Sequence, residues 1–364
     1  MQNHQKMIQK ILNKIKESNG KISFYEYMNT VLFDSDSGYY TKNSRQLGKL
    51  GDFMTAPEIS PLFGQSLSKS MYPILKRFHD PVIIEFGAGT GILAKTLLEN
   101  LGNTISKYII IEISPALIQQ QQKLLSSFSD KIIWHDSHRP LENLTGIIIA
   151  NEVIDAFPVR KFHYSNKIFS EYYVVPSEKN NTPFDWHLQK IDPNNDSDFQ
   201  FLQSLDLPNN YTSEYHPTLR SWVKNLSAIL QQGLVYIFDY GFPRHEYYHP
   251  DRNMGTLMCH FQHHSNTDPF YLPGCQDITA HVDFTSVAEA GVEAGFHVAG
   301  YTSQAAFLLA SGITELCQSY ENAQAVKLLT LPSEMGELIK VIALSKNYEH
   351  SIPGFELQDR RENL

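Results

Sequence analysis

The sequence predicts an α/β fold in which a mostly parallel sheet is buried on both faces. Three observations carry that prediction. Apolar, β-branched runs of strand length recur along the chain, helical segments separate the first of them, and a glycine-rich turn closes the first run. The runs are Val82-Ile83-Ile84, Tyr108-Ile109-Ile110-Ile111, Ile132-Ile133-Trp134, Ile147-Ile148-Ile149 and Leu234-Val235-Tyr236-Ile237-Phe238, with helices expected over 90–101 and 115–128. Phe296 to Tyr301 and Glu337 to Leu344 supply closing strands.

Ahead of the sheet, Met7, Ile8, Ile11, Leu12 and Ile15 recur at helical spacing until Asn19-Gly20 stops them, so residues 4–18 form an amphipathic helix. A second helix is expected from Ser23 to Leu32. Between Asp34 and Pro61 the pattern turns to Ser-Gly, Leu-Gly, Gly-Asp and Ala-Pro steps, and a loop of that length is usually a lid or a binding loop. Pro61 to Phe78 reads as a helix with Leu62, Phe63, Leu67, Met71 and Leu75 inward and a kink at Pro73. Residues 149 and 234 bracket far more chain than one crossover helix needs, so 160–225 is an insertion. Its pieces Lys161-Phe162-His163-Tyr164 and Tyr172-Tyr173-Val174-Val175 look antiparallel, and Asp192 to Asp198 is a polar turn. Phe355 to Leu364 reads as a frayed tail. The expected partition is therefore a helical lid over 1–80, a core over 81–159 and 226–350, and the insertion 160–225.

Composition excludes several classes. A formal net charge of -9 argues against a protein whose main task is neutralising phosphates, so no nucleic-acid partner is expected. Cys259, Cys275 and Cys317 form no CxxC pair, which fits a reducing compartment. No apolar run approaches the roughly 18 residues of a membrane span, so no membrane insertion is expected. The Lys-rich N-terminus lacks the apolar stretch of a signal peptide and the arginines of a transit peptide; the expected address is a bacterial cytoplasm.

The first run leads into Glu85-Phe86-Gly87-Ala88-Gly89-Thr90-Gly91, a turn where backbone can approach a ligand closely. A dinucleotide fingerprint would place glycine at 92, where Ile92 stands, and Lys95 follows Leu93-Ala94 rather than completing a phosphate loop. S-adenosylmethionine (SAM) carries no phosphate. Its parts need an acid before the glycines, an acid ending strand two for the ribose hydroxyls, and a polar residue after strand three for adenine. Glu85, Glu112 and Asp136-Ser137 stand at those places. The cofactor set is thus Glu85, Gly87, Ala88, Gly89, Gly91, Glu112, Ile113, Asp136, Ser137 and Asn151, with Gly51, Asp52 and Thr55 closing over it from the long loop.

Beyond this turn the chain carries Gly38-Tyr39-Tyr40, the stretch Gly51 to Gly64, Glu112-Ile113-Ser114-Pro115, Asn151 to Pro158, Asp239-Tyr240-Gly241 and Pro273 to Phe284. In this order the motifs resemble the MidA-like family of SAM-dependent methyltransferases, whose mitochondrial members are complex I assembly factors that methylate an arginine. The resemblance spans roughly residues 22–315. It departs at Pro243 to Pro250 and at Cys275, which bear on the substrate rather than the cofactor. It implies a Rossmann-like methyltransferase sheet with an N-terminal helical lid and an inserted α+β substrate-binding subdomain. It further implies transfer to arginine of a protein substrate, a respiratory complex I subunit being one example, with a homodimer among the arrangements open to it. The other readings are a SAM-binding assembly factor without catalysis, and a methyltransferase for a small molecule or another protein residue.

Methyl transfer is an in-line displacement, so an enzyme must align the nucleophile and exclude water. By analogy with arginine methyltransferases, Glu152 and Asp155, beside Asn151 after strand four, would grip the guanidinium; the competing reading makes Asn151 and Glu152 caps of the next turn. Glu58 and Glu214 are further substrate carboxylates, with capping the competing role for Thr55 and Glu58. His245-Glu246-Tyr247-Tyr248-His249 matches HExxH, which needs a helix so that both histidines share a face. Gly241, Pro243 and Pro250 argue against that helix, and neither this motif nor His260, His263 and His264 is expected to bind metal.

Overall fold

The apolar runs become the strands of one large sheet. The structure, a computed structural model, describes residues 2–42, 54–135, 139–178 and 182–364. Its contacts resolve two compact units, one comprising Ser44–Ile154, Leu219–Pro243 and Phe284–Leu364, the other Met1–Asn43, Asp155–Thr218 and Arg244–Asp283.

In the first unit we number the sheet strands β1 (Val82–Phe86), β2 (Lys107–Ile111), β3 (Ile132–Trp134), β4 (Leu144–Asn151), β5 (Leu230–Phe242), β6 (His297–Ser303) and β7 (Ile339–Lys346). Their order is β3-β2-β1-β4-β5-β7-β6. The pairs from β3 through β5 are parallel, whereas β7 runs antiparallel to both β5 and β6. Alternate residues Ile83, Tyr108, Ile110, Ile147, Ile149, Tyr236 and Phe238 share one core with Phe63, Leu67, Leu93 and Leu97 of the helices Pro61–Leu75 and Ile92–Leu101. Ser60 caps the first of these by accepting the Leu62 N–H at 3.2 Å, with Pro61 at the position where a missing N–H costs nothing. Between β1 and β4 the strand order reverses, and open parallel sheets bind ligands at the carboxyl ends of their strands at such a point.

The second unit is built on the antiparallel strands Ile22–Ser23, Ile168–Pro176, Arg160–Ser165 and Tyr211–Tyr215, with Phe184–Lys190 added to Ile168–Pro176. Met7, Ile11 and Ile15 of the helix Gln2–Glu17 pack with Phe24, Tyr27, Val174, Phe184 and Phe270 in one core. The helix Phe24–Phe33 starts in a capping box, Ser23 accepting the Glu26 N–H and Glu26 accepting the Ser23 N–H at 2.9 Å.

The units differ from the three-part division expected from the sequence. Ile22 pairs with Val174 and Ser23 with Tyr173, so the N-terminal helices share a core with the insertion instead of forming a separate lid. The insertion returns to the sheet unit at Leu219, and residues 244–283 add a three-stranded sheet, Met258–Phe261, His264–Asn266 and Asp277–Thr279, to the second unit. The terminal segment is packed, not frayed. Phe355 stacks edge-on to Phe307 with centroids 5.5 Å apart, and Arg360 forks onto Glu337 at 2.9 and 3.1 Å. Glu337 itself lies in the helix Met335–Leu338, and the last strand begins at Ile339.

Candidate functional site

At the end of β1 the chain turns through Gly87, Gly89 and Gly91 with φ of 62°, 54° and 88°, all left-handed. A side chain at any of the three would strain the backbone, so the spacing follows from the shape of the turn. Just before it, Glu85 is buried, and its carboxylate accepts the Tyr108 hydroxyl at 2.7 Å. Burial pushes this carboxyl up to about 7, against the lowering effect of the Tyr108 bond, and the nearby Glu112 raises it further.

At the end of β2, Glu112 Oε1 accepts the N–H groups of Ile113 at 2.9 Å and Ser114 at 3.0 Å, while Oε2 accepts Gln121 Nε2 at 3.2 Å. Burial raises its pKa too, and these donors oppose the rise. Ser114 caps the helix Pro115–Leu124, which carries Gln121 fully buried toward the glycine turn. Ile113 is 54 % exposed, an apolar surface beside Glu112. Asp136 and Ser137, like Gly51 and Asp52, lie outside the described residues.

The loop after β4 is held from three sides. Glu152 takes φ of 52°, a left-handed conformation uncommon for a residue with a β-carbon, and donates its N–H to Phe238 O of β5 at 2.8 Å. Its Oε1 accepts the Ala56 N–H and Asn151 Nδ2, both at 3.2 Å. Fully buried Asp239, also on β5, accepts the N–H groups of Val153 at 3.2 Å and Ile154 at 2.8 Å. Asn151 Oδ1 is buried and has no hydrogen-bond partner among the described residues. Glu152 thus accepts the first N–H of the helix Ala56–Ile59.

The remaining expected residues divide. Thr55 stands at the N-cap of Ala56–Ile59 without a side-chain capping bond, and Glu58 of that helix accepts the Thr90 hydroxyl of the glycine turn. That contact ties Glu58 to the glycine turn. Ala88 is buried within the turn. Asp155 belongs to the second unit, 8 % exposed, where its carbonyl accepts the Ala280 N–H at 2.9 Å and its charge acts on Tyr40. The reading of Glu214 as a substrate carboxylate gives way to a structural one. It is fully buried, ion-paired to Lys161, and accepts the Thr256 N–H at 2.8 Å. A β-carbon on Gly255 would come within 2.3 Å of its carboxylate, so the cavity around it is already filled. The HExxH match does not become a zinc helix: Arg244–Tyr247 is a single turn ending before His249, and both histidines are exposed. Among the described residues no His, Cys, Asp and Glu cluster could hold a metal ion.

Tyr108, Gln121, Trp134 and Asp239 take no part in the site as read from the sequence. The available signal was polarity at positions whose neighbours are apolar, as at Gln121 four residues after buried Leu117.

Glycines without β-carbons at the strand-order reversal, one buried and one half-buried acid fastened by neutral donors, and one orphaned amide oxygen suit a ligand that brings hydroxyls and positive charge but no phosphate. This arrangement, on this sheet, defines the class of Rossmann-like SAM-dependent methyltransferases. Residues 66–302 match the model of a family described as "Putative S-adenosyl-L-methionine-dependent methyltransferase", and the chain belongs to that family. It is similar over its whole length to a protein from Burkholderia thailandensis crystallised with S-adenosyl-homocysteine (SAH), with TM-score 0.94, 35 % identity and 97 % of that chain covered. Among curated relatives, it is 26 % identical to the Drosophila melanogaster "Protein arginine methyltransferase NDUFAF7 homolog, mitochondrial", over 90 % of this chain and 82 % of that protein. The Danio rerio protein arginine methyltransferase NDUFAF7 is 28 % identical over 73 % of this chain and 67 % of its own length. The protein is a methyltransferase that uses SAM.

Proposed function

We propose that this methyltransferase acts in the cytoplasm on an arginine of a protein substrate. The observation that carries the reading is Glu152, a carboxylate held in a left-handed backbone conformation at the carboxyl end of β4, beside the glycine turn. The curated relatives named as protein arginine methyltransferases support the same acceptor. The three free cysteines support a reducing compartment.

Bound SAM supplies an electrophilic methyl on a sulfonium. In this proposal the chain contributes position and charge. Gly87, Gly89 and Gly91 leave space for the cofactor, Glu112 accepts the ribose hydroxyls, and Ile113 covers the adenine. Asn151 Oδ1, orphaned and buried, accepts a donor from the ligand. Glu152 would accept N–H bonds from the guanidinium and orient one nitrogen toward the methyl; as the nitrogen–carbon bond forms and the methyl–sulfur bond breaks to leave SAH, the released proton would pass to solvent water. Phe238 and Asp239 hold the loop carrying Glu152, so little reorganisation is needed when the substrate arrives.

The test is methyl-label transfer from SAM to proteins of a lysate containing respiratory complex I subunits, with calorimetric titration of SAM and NAD beside it. Label on arginine is the expected result, with SAM bound and NAD not. In Glu152→Gln, transfer should fall about 100-fold or more while SAH affinity is kept. Unchanged transfer by that variant overturns the role of Glu152. Binding without transfer to any protein favours an assembly factor that keeps SAM as a structural ligand, and label on another residue type removes the arginine.

A further inference from the structure

The helix Pro115–Leu124 presents a fully buried amide toward the carboxyl ends of three successive strands. A buried glutamine is costly unless both ends of its amide are bonded. Gln121 satisfies that condition by reaching three different loops. Its Nε2 donates to Gly89 O of the glycine turn at 2.8 Å and to Glu112 Oε2 at the end of β2 at 3.2 Å. Its Oε1 accepts the Trp134 indole N–H at the end of β3 at 3.0 Å. The third glycine of the turn makes room for it, since a β-carbon on Gly91 would lie 3.2 Å from Gln121 Cγ.

The consequence falls on Glu112. The N–H groups of Ile113 and Ser114 hold its Oε1 and the Gly89 N–H also bonds the carboxylate, while Gln121 is the side chain that fastens Oε2. The Gln121 bond holds Oε2 and sets the plane. A diol is recognised by two acceptor oxygens in a fixed relation, so the direction of that plane decides whether both ribose hydroxyls are bound or only one. The same amide holds Gly89, so the turn and the acid cannot shift independently.

We propose that Gln121 is the positioning residue that sets the Glu112 carboxylate for the cofactor's ribose, and so determines the preference for a ribosyl over a deoxyribosyl ligand. The inference rests on the reading of Glu112 as the ribose acceptor and is independent of the methyl acceptor.

Calorimetry with SAH and with its 2′-deoxy analogue tests it without any transfer assay. For the unmodified protein, SAH should bind about tenfold or more tighter than the analogue, the worth of one hydrogen bond to a charged group. In Gln121→Met, close in volume but without the amide, SAH affinity should fall about tenfold and analogue affinity less than about threefold, so that the ratio approaches one. Gln121→Leu likewise lacks the amide and should collapse the ratio in the same way; it serves also if Gln121→Met does not fold. Equal weakening of both ligands, or no weakening of either, overturns the proposal by reducing Gln121 to a packing role. A ratio near one in the unmodified protein overturns it too, and removes the ribose role of Glu112 with it.

Discussion

Three acids of the second unit and two of the sheet unit are held in opposite ways. In the second unit three buried carboxylates are paired with cations: Glu171 with Arg160 at 2.7 Å, Glu214 with Lys161, and Asp283 with Arg244 at 3.1 Å, while buried Asp277 accepts the Tyr40 hydroxyl at 2.7 Å. In the sheet unit Glu85 and Glu112 rest on a hydroxyl, backbone N–H groups and a neutral amide. Neutral donors orient a carboxylate without cancelling its charge, and burial then raises its pKa, as it does for both residues. Charge left uncancelled is charge available to a cationic ligand. The second unit has no such reserve at its three paired acids, whose charges serve its own architecture.

The comparison breaks first at Lys161. Replacing it with methionine leaves Glu214 buried without its cation, and unfolding in denaturant should show a loss of about 3–5 kcal/mol. A loss under about 1 kcal/mol would mean that Thr256 and its neighbours suffice, as neutral donors do in the sheet unit.

Glu85 tests the other side through pH. Its folded pKa, about 7, lies above the ordinary 4.5, so the unfolded chain loses this proton first as pH rises. Stability from this group is therefore fully present below pH 4.5, falls as pH climbs, and is at its lowest above about 7. Glu85→Gln removes the titration while keeping an oxygen for Tyr108. Between pH 5 and pH 8 the unmodified protein should lose roughly 2.5 kcal/mol more stability than the variant, read from paired unfolding curves. Parallel pH profiles would show that Glu85 is not a buried, uncancelled acid.

The smallest effect isolates burial from unit. Glu26 lies in the second unit yet is held by neutral donors, the Ser23 N–H and hydroxyl, and it is exposed. Ser23→Ala should cost about 1 kcal/mol in thermal unfolding, the worth of a cap. A cost near that of Lys161→Met would show that the number of bonds, not desolvation, governs both.

Much of the site was legible in sequence because its parts are local. The glycines at 87, 89 and 91 announced a turn that backbone angles confirm, and Glu112 was placed by its position at the end of an apolar run. Residues whose role comes from a distant partner were not legible. Tyr108 meets Glu85 only because β2 lies beside β1, and Asp239 meets Val153 and Ile154 only because β5 lies beside β4. Glu214 shows the reverse error. It looked like an acid awaiting a ligand until Lys161 stood directly opposite it across the strand pair.

By itself the sequence determined the strands of the large sheet and the glycine turn, because apolar period and left-handed backbone act within a few neighbouring residues. Only the tertiary structure decided which core the N-terminal helices join, which acids keep an uncancelled charge, and that Gln121 braces three loops. Those outcomes depend on pairs such as Ile22 with Val174 and Gln121 with Gly89, and desolvation of a polar group is set by whatever the fold brings against it.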